Sequence, residues 1–125
     1  MIYLAQSSSH SDPAVRQWRL DAARKATASL VRTGLIVLFP IAHSYPLTQY
    51  NLARDGRFWQ RHDRAHLEAC SEMAILTLDG WKEGTGVNAE IHIAAQLRLP
   101  VLLIDPTRLV RWLRTPRPLG PGRWR

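Results

Sequence analysis

The residue type best suited to chemistry is a glutamate, Glu90, at the end of the string Gly84-Thr85-Gly86-Val87-Asn88-Ala89-Glu90. The string follows an apolar strand-like run and a loop, and it opens a helical pattern. A carboxylate in a first helical turn faces unpaired N–H groups and the positive end of the helix dipole. Both favour the ionised form, which a carboxylate nucleophile needs. A glutamate there also serves simply to cap its own helix, so its partners decide between the two readings. Two side chains elsewhere qualify as partners. Asp63, in Trp59-Gln60-Arg61-His62-Asp63, lies in a helical stretch that leads into a central apolar run. Tyr3 lies in the opening run Ile2-Tyr3-Leu4-Ala5, where a phenol can hydrogen-bond a carboxylate and hold its orientation. By residue type alone, Asp63 also reads as a solvated helix residue and Tyr3 as a packed strand aromatic.

A second group suits an anion. Ser7, Ser8, Ser9 and His10 precede a helical stretch with Arg16 and Arg19 in its early turns. Helix N-termini bind anions, and hydroxyls with arginine add donors. The same composition also describes a hydroxyl-rich loop. His43 and Ser44 follow an apolar run, where a histidine can contact a ligand or move a proton; a loop histidine bonding its own backbone fits equally. Gly84, Thr85 and Gly86 form the loop ahead of Glu90. His62 and His66 have the spacing of two metal ligands on one helix face, but no third ligand stands nearby. No metal site and no cofactor is therefore predicted. Cys70 is the only cysteine, which excludes an internal disulfide and points to a reducing, cytoplasmic setting. In an apolar pattern it reads as a small core residue.

Strands and helices must alternate to position these groups. Residues 2–5 read as a strand. Asp12-Pro13 reads as an N-cap and first helical residue. Trp18, Ala22, Ala26 and Leu30 then recur every four residues as one helix face, and Thr33-Gly34 closes the helix. The run 35–39 predicts a strand buried on both sides, ended by Pro40. Residues 41–57, with Pro46, Asn51 and Gly56, predict an irregular stretch. A helix over 58–70, a strand over 73–78 and a turn at Asp79-Gly80 follow. A helix over 86–97 places Val87, Ile91 and Ala94 on one side, and a strand spans 101–104. Asp105-Pro106 caps a short final helix with Leu109, Val110 and Trp112. This alternation predicts an α/β fold, a three-layer Rossmann-like (flavodoxin-like) parallel sheet of about 4–5 strands flanked by helices. Ligands of such sheets bind beyond the carboxyl ends of the strands. That edge gathers the loops 6–11, 40–46 and 79–86.

The 125 residues fit one domain, 1–114, with a basic Pro/Arg-rich tail, 115–125, predicted to be flexible. The formal charge of +7 is uneven: residues 1–104 carry +2 and residues 105–125 carry +5. A basic surplus raises nucleic acid as a partner, but no zinc-ligand spacing or aromatic RNA-binding signature accompanies it. Nucleic-acid binding is therefore not predicted. No apolar run is long enough to span a bilayer, and the opening run is too short for a signal peptide.

Three segments, read in order, resemble the motifs of the nucleoside 2-deoxyribosyltransferases and the related deoxynucleoside-monophosphate N-glycosidases. They are Ile2-Tyr3-Leu4-Ala5, Asp63 ahead of Cys70-Ser71-Glu72-Met73-Ala74-Ile75-Leu76, and Gly86-Val87-Asn88-Ala89-Glu90-Ile91-His92-Ile93-Ala94. The pairing of Pro-Ile-Ala-His-Ser (40–44) with Leu-Asp-Gly-Trp (78–81) is similar to an uncharacterised bacterial and phage branch of that superfamily. The resemblance covers residues 1–104. It implies that Glu90 attacks the anomeric carbon of a nucleoside or nucleotide, that Asp63 assists the leaving base or orients the sugar, and that Tyr3 positions Glu90. Water would complete hydrolysis, and a second base would complete transfer. It also implies a homodimer or larger assembly whose neighbour completes the pocket. Trp59, Trp81 and Trp112 are interface candidates, and Trp81 is alternatively a cover for the site. The active relatives place Asp or Ser six residues before the glutamate. Here that position is Gly84, which has no side chain to orient a sugar, although Glu83 and Thr85 flank it. A binding module that holds a nucleotide without cleaving it is the alternative.

Overall fold

Four apolar runs form strands: β1 (Ile2–Ala5), β2 (Val37–Leu38), β3 (Glu72–Leu76) and β4 (Val101–Ile104). All pair in parallel, in the order β2-β1-β3-β4. The connections are α1 (Pro13–Arg32), α2 (Pro40–Leu47), α3 (Gly56–Glu68) and α4 (Thr85–Gln96), with single 3-10 turns at Thr48–Tyr50 and Trp81–Glu83. The computed structural model describes residues 1–53 and 56–107. The predicted tail 115–125, the helix with Leu109, Val110 and Trp112, and the end of the predicted 1–114 domain lie outside them.

Successive strand residues point to opposite faces of a sheet, and this period builds two cores. Ile2, Leu4, Ala74 and Leu76 pack with Leu20, Ala23, Ala26 and Leu30 of α1. Tyr3, Ala5, Met73 and Ile75 pack with Leu67 of α3 and Val87, Ile93 and Ala94 of α4. The result is a three-layer Rossmann-like α/β fold. Among the described residues, no helix is long and apolar enough to cross a membrane.

Helix α1 starts as its chemistry dictates. The Asp12 carboxylate accepts the Ala14 N–H at 2.9 Å, and Pro13 takes the first position, where it has no N–H to waste. Its buried face differs from the one the four-residue spacing predicts. Trp18 is 61% exposed, and Arg19, Leu20, Ala23, Ala26 and Leu30 are buried. A strict spacing of four drifts roughly 40° per step on a helix of 3.6 residues per turn. Three steps therefore carry Trp18 about a third of a turn away from Leu30.

Two further differences bear on the site. The strand predicted over 35–39 is only Val37–Leu38 at the sheet edge, with Ile36 exposed, because it pairs with β1 alone. The stretch predicted as irregular contains α2 and a 3-10 turn. The strand has ended by Pro40, which also sits at the first helical position, and Pro46 falls in the last turn.

The strand order reverses between β1 and β3. The chain leaving β1 turns toward α1 on one face, and the chain leaving β3 turns toward α4 on the other. A crevice opens between them at the carboxyl edge, which is the switch point where such sheets bind ligands.

Candidate active site

A cavity of about 150 Å³ occupies this crevice. Tyr3 on β1, Asp63 on α3 and Glu90 on α4 all line it, with Ser7 and Ser8 after β1 and Gly84, Thr85 and Gly86 at the start of α4. A space of this volume accepts a single small ring. On its α3–α4 side the cavity continues into a groove lined by Arg57, Gln60, Asp63, Thr85, Gly86 and Ala89.

Glu90 reaches the cavity because Val87, Glu90 and Ala94 share one face of α4, the face turned to the core. It is the sixth residue of the helix and so lies in the second turn, not the first. The expected support from unpaired N–H groups does not reach it, because those belong to the first turn. Burial governs it instead. Glu90 is 7% exposed, and its carboxyl is pushed up to about 8, first by desolvation and then by the Asp63 charge, with the Tyr3 hydroxyl pulling the other way. Glu90 therefore holds a proton at neutral pH, contrary to the ionised form that its place in sequence suggests. Burial also raises Asp63, and Tyr3, His66 and His62 partly oppose that shift.

The Tyr3 hydroxyl lies within hydrogen-bonding reach of both carboxyls. Burial and the two negative charges push its own ionisation far up, so Tyr3 stays a neutral donor across the working pH range. The three groups form one proton-sharing cluster that titrates as a unit. Its wiring gives signs that can be checked without any substrate. Tyr3→Phe removes a bond to the ionised carboxylates, so the upper carboxyl pKa should rise above about 8. Asp63→Asn removes a like charge, so the Glu90 pKa should fall. Carboxyl-carbon NMR titration of the three proteins measures both shifts, and movement in the same direction would refute the arrangement.

Gly84 is filled space rather than a missing side chain. A Cβ there would lie 2.6 Å from Ser7 Oγ and 3.1 Å from Ser7 Cβ, with the Trp81 carbonyl at 3.3 Å. Ser7, 4% exposed, thus brings its hydroxyl to the place a side chain at 84 would start.

Four predicted binding residues stand outside the cavity. Arg19 is buried, and its guanidinium donates to the Ser9 carbonyl at 3.0 Å, to the Asp79 carbonyl at 3.0 Å and, at 3.5 Å, to the Ser7 carbonyl. It clamps the loop after β1 to the turn after β3, so its donors are committed to backbone. His10 is exposed, and its Nδ1 accepts the Asp12 N–H at 2.9 Å. Arg16 likewise donates to the His10 and Ser11 carbonyls. The expected arginine contribution to an anion site is therefore spent on loop structure, leaving the serines. His43 is exposed on α2 and does not line the cavity; Ser44, one residue on, does.

Ser44 aside, several lining residues escaped the sequence reading. Ile41, Ser44, Tyr45 and Thr48 line the cavity at the i, i+3, i+4, i+7 spacing of one helix face. That spacing was available, but Pro40 and Pro46 mask it. Trp59 lines the cavity rather than an outer surface, and its indole N–H donates to the Ala53 carbonyl at 2.7 Å. Trp81 packs against the α3–α4 core, with Lys82 over its ring. Gln6 also lines the cavity. Among the described residues no three His, Cys, Asp or Glu side chains gather as a metal-binding group.

Fold and site together define a parallel-sheet α/β domain with a carboxyl-lined pocket at its topological switch point. Such a pocket is the position from which this class of sheet handles small ligands. The chain belongs to the family described as a domain of unknown function (DUF1937), which matches residues 1–105. Comparison with curated proteins gives no match.

Proposed function

We propose that the domain cleaves the N-glycosidic bond of a nucleoside or nucleotide, with Glu90 as nucleophile, either hydrolysing it or transferring the sugar to a second base. The observation that carries this reading is the convergence of Tyr3, Asp63 and Glu90, from three separate elements, on one ring-sized cavity. It agrees with the roles that the resemblance to the nucleoside 2-deoxyribosyltransferases implies for those residues.

The proton on Glu90 sets the order of events. Before attack it passes through the Tyr3 hydroxyl to Asp63, leaving a Glu90 carboxylate and an Asp63 acid. A Glu90 oxygen then bonds to the anomeric carbon. The bond to the base nitrogen breaks, its electron pair stays with the base, and Asp63 supplies the proton that the base takes. Water or a second base then attacks the anomeric carbon, gives its proton to the Asp63 carboxylate, and the bond to the Glu90 oxygen breaks. This is the division of labour in retaining glycosidases, where one carboxyl attacks and its partner acts as acid and then base. The Ser7 hydroxyl stands in for the Asp or Ser that active relatives carry at the Gly84 position. The Ser7 and Ser8 hydroxyls in the lining suit a phosphate and favour a nucleotide over a free nucleoside.

The burial of Glu90 favours the alternative, a nucleotide sensor of the same fold: desolvation favours the protonated carboxyl, a poor nucleophile unless the proton moves. Incubation with the deoxynucleosides and their monophosphates, followed by chromatography for free base, separates the two. Base release that Glu90→Ala abolishes is the expected result. Tight binding with no release from any of them would leave only the sensor.

A further inference from the structure

Gln6 directly follows the first strand and lines the cavity, yet it is 2% exposed and neither its Nε2 nor its Oε1 has a hydrogen-bond partner among the described residues. Buried amides are almost always bonded, because both polar atoms give up water on burial. An unpaired carboxamide in the lining of a pocket, beside three groups poised for chemistry, is therefore a recognition element held ready. Resting on the nucleotide reading above, we infer that Gln6 reads the substrate: its carboxamide makes a paired donor–acceptor contact with an uncharged part of the nucleotide.

The chemistry narrows what it reads. A carboxamide presents one N–H donor and one C=O acceptor side by side. A phosphate offers only acceptors, so it would leave the carbonyl unmet and repel it; the Ser7 and Ser8 hydroxyls suit a phosphate better. A group that offers a donor beside an acceptor satisfies both atoms. A nucleobase edge does this, as in the bidentate pairing of glutamine with adenine. The free 3′-hydroxyl of the deoxyribose, both donor and acceptor, can meet either atom. Gln6 follows Tyr3 by three residues, roughly 10 Å along an extended chain. It therefore meets a different part of the ligand from the atoms that Tyr3, Asp63 and Glu90 handle. A site built to bond a polar group strongly rejects ligands that lack it, which makes Gln6 a determinant of specificity rather than of rate.

Binding is measured by calorimetry on the full chain carrying Glu90→Gln, which cannot turn over, with and without Gln6→Leu. The ligands are the four deoxynucleoside monophosphates and deoxyribose 5-phosphate. Gln6→Leu should weaken the preferred nucleotide roughly 5- to 150-fold while leaving the melting temperature unchanged or higher, because no internal bond is lost. Gln6→Glu, which keeps the shape and removes the donor, should weaken it as well. A loss seen with the nucleotide but not with deoxyribose 5-phosphate assigns the contact to the base; a loss with both assigns it to the sugar. Equal binding with and without Gln6→Leu overturns the inference and leaves the nucleotide reading standing. A lower melting temperature, or failure of Gln6→Leu to fold, overturns it too, by showing that the amide is bonded within the protein. If the Glu90→Gln chain binds none of the five ligands, the nucleotide reading falls and takes this inference with it.

Discussion

Glu90→Gln should abolish turnover, by on the order of a thousandfold or more, and at the same time make the protein more stable. The second effect follows from burial. The glutamate titrates near 4.5 in the unfolded chain and at about 8 in the folded one. Between those values the unfolded chain releases a proton that the folded protein keeps. The stability that the neutral carboxyl provides is fully present below about 4.5 and is lost as pH rises through about 8. Glutamine has the same shape and never ionises. Its advantage should be absent near pH 4, grow between 4.5 and 8, and level off above that, reaching on the order of 3–5 kcal/mol. Denaturant melts of the two proteins across that range measure it. A gap that does not change with pH would mean that Glu90 is not held neutral, and undiminished base release by the variant would remove it from the chemistry.

The second large effect is expected at Gly84. Placing a serine there should not help; it should cost about 1–3 kcal/mol, several degrees in melting temperature. The new Cβ would stand 2.6 Å from Ser7 Oγ, and Ser7 cannot easily retreat, because Arg19 holds the carbonyls of Ser7 and Ser9. The exchange Ser7→Gly with Gly84→Ser removes the collision and should recover most of the loss, since one hydroxyl then replaces the other. Thermal melts of the two single variants and the double variant decide this. If Gly84→Ser alone is as stable as the parent, the two positions do not compete for one space.

Much of the fold was legible where local chemistry and long-range packing agree. The strand over 101–104 is observed as predicted, and Asp12-Pro13 opens α1 through the cap that its residue types promise. Legibility failed where context overrode pattern. The run 35–39 is apolar enough for a central strand, but a strand that ends a sheet has one neighbour, and sequence carries no sheet order. Proline hid α2, because Pro40 breaks a helix in mid-course and starts one at its first position. The site shows the same division. Tyr3, Asp63 and Glu90 could be singled out as chemistry-bearing types, and the fold brings them together. The protonation of Glu90 was not legible, because a few residues of helix register separate a carboxylate held by the first turn from one buried beneath the second. Arg19 was misjudged and Gln6 missed for a related reason. Whether a polar side chain is already satisfied is decided by backbone that lies far away in the chain.

Arg19 also limits how this pocket can change. It joins the backbone of the loops after β1 and after β3, and does not reach the α2–α3 side. One bank is thus a fixed jig that carries Ser7, Gln6 and the approach to Glu90. The opposite wall of Ile41, Ser44, Tyr45, Thr48 and Trp59 is free of that brace. New ligand preferences should therefore arise by remodelling that wall, while the braced bank tolerates almost no drift.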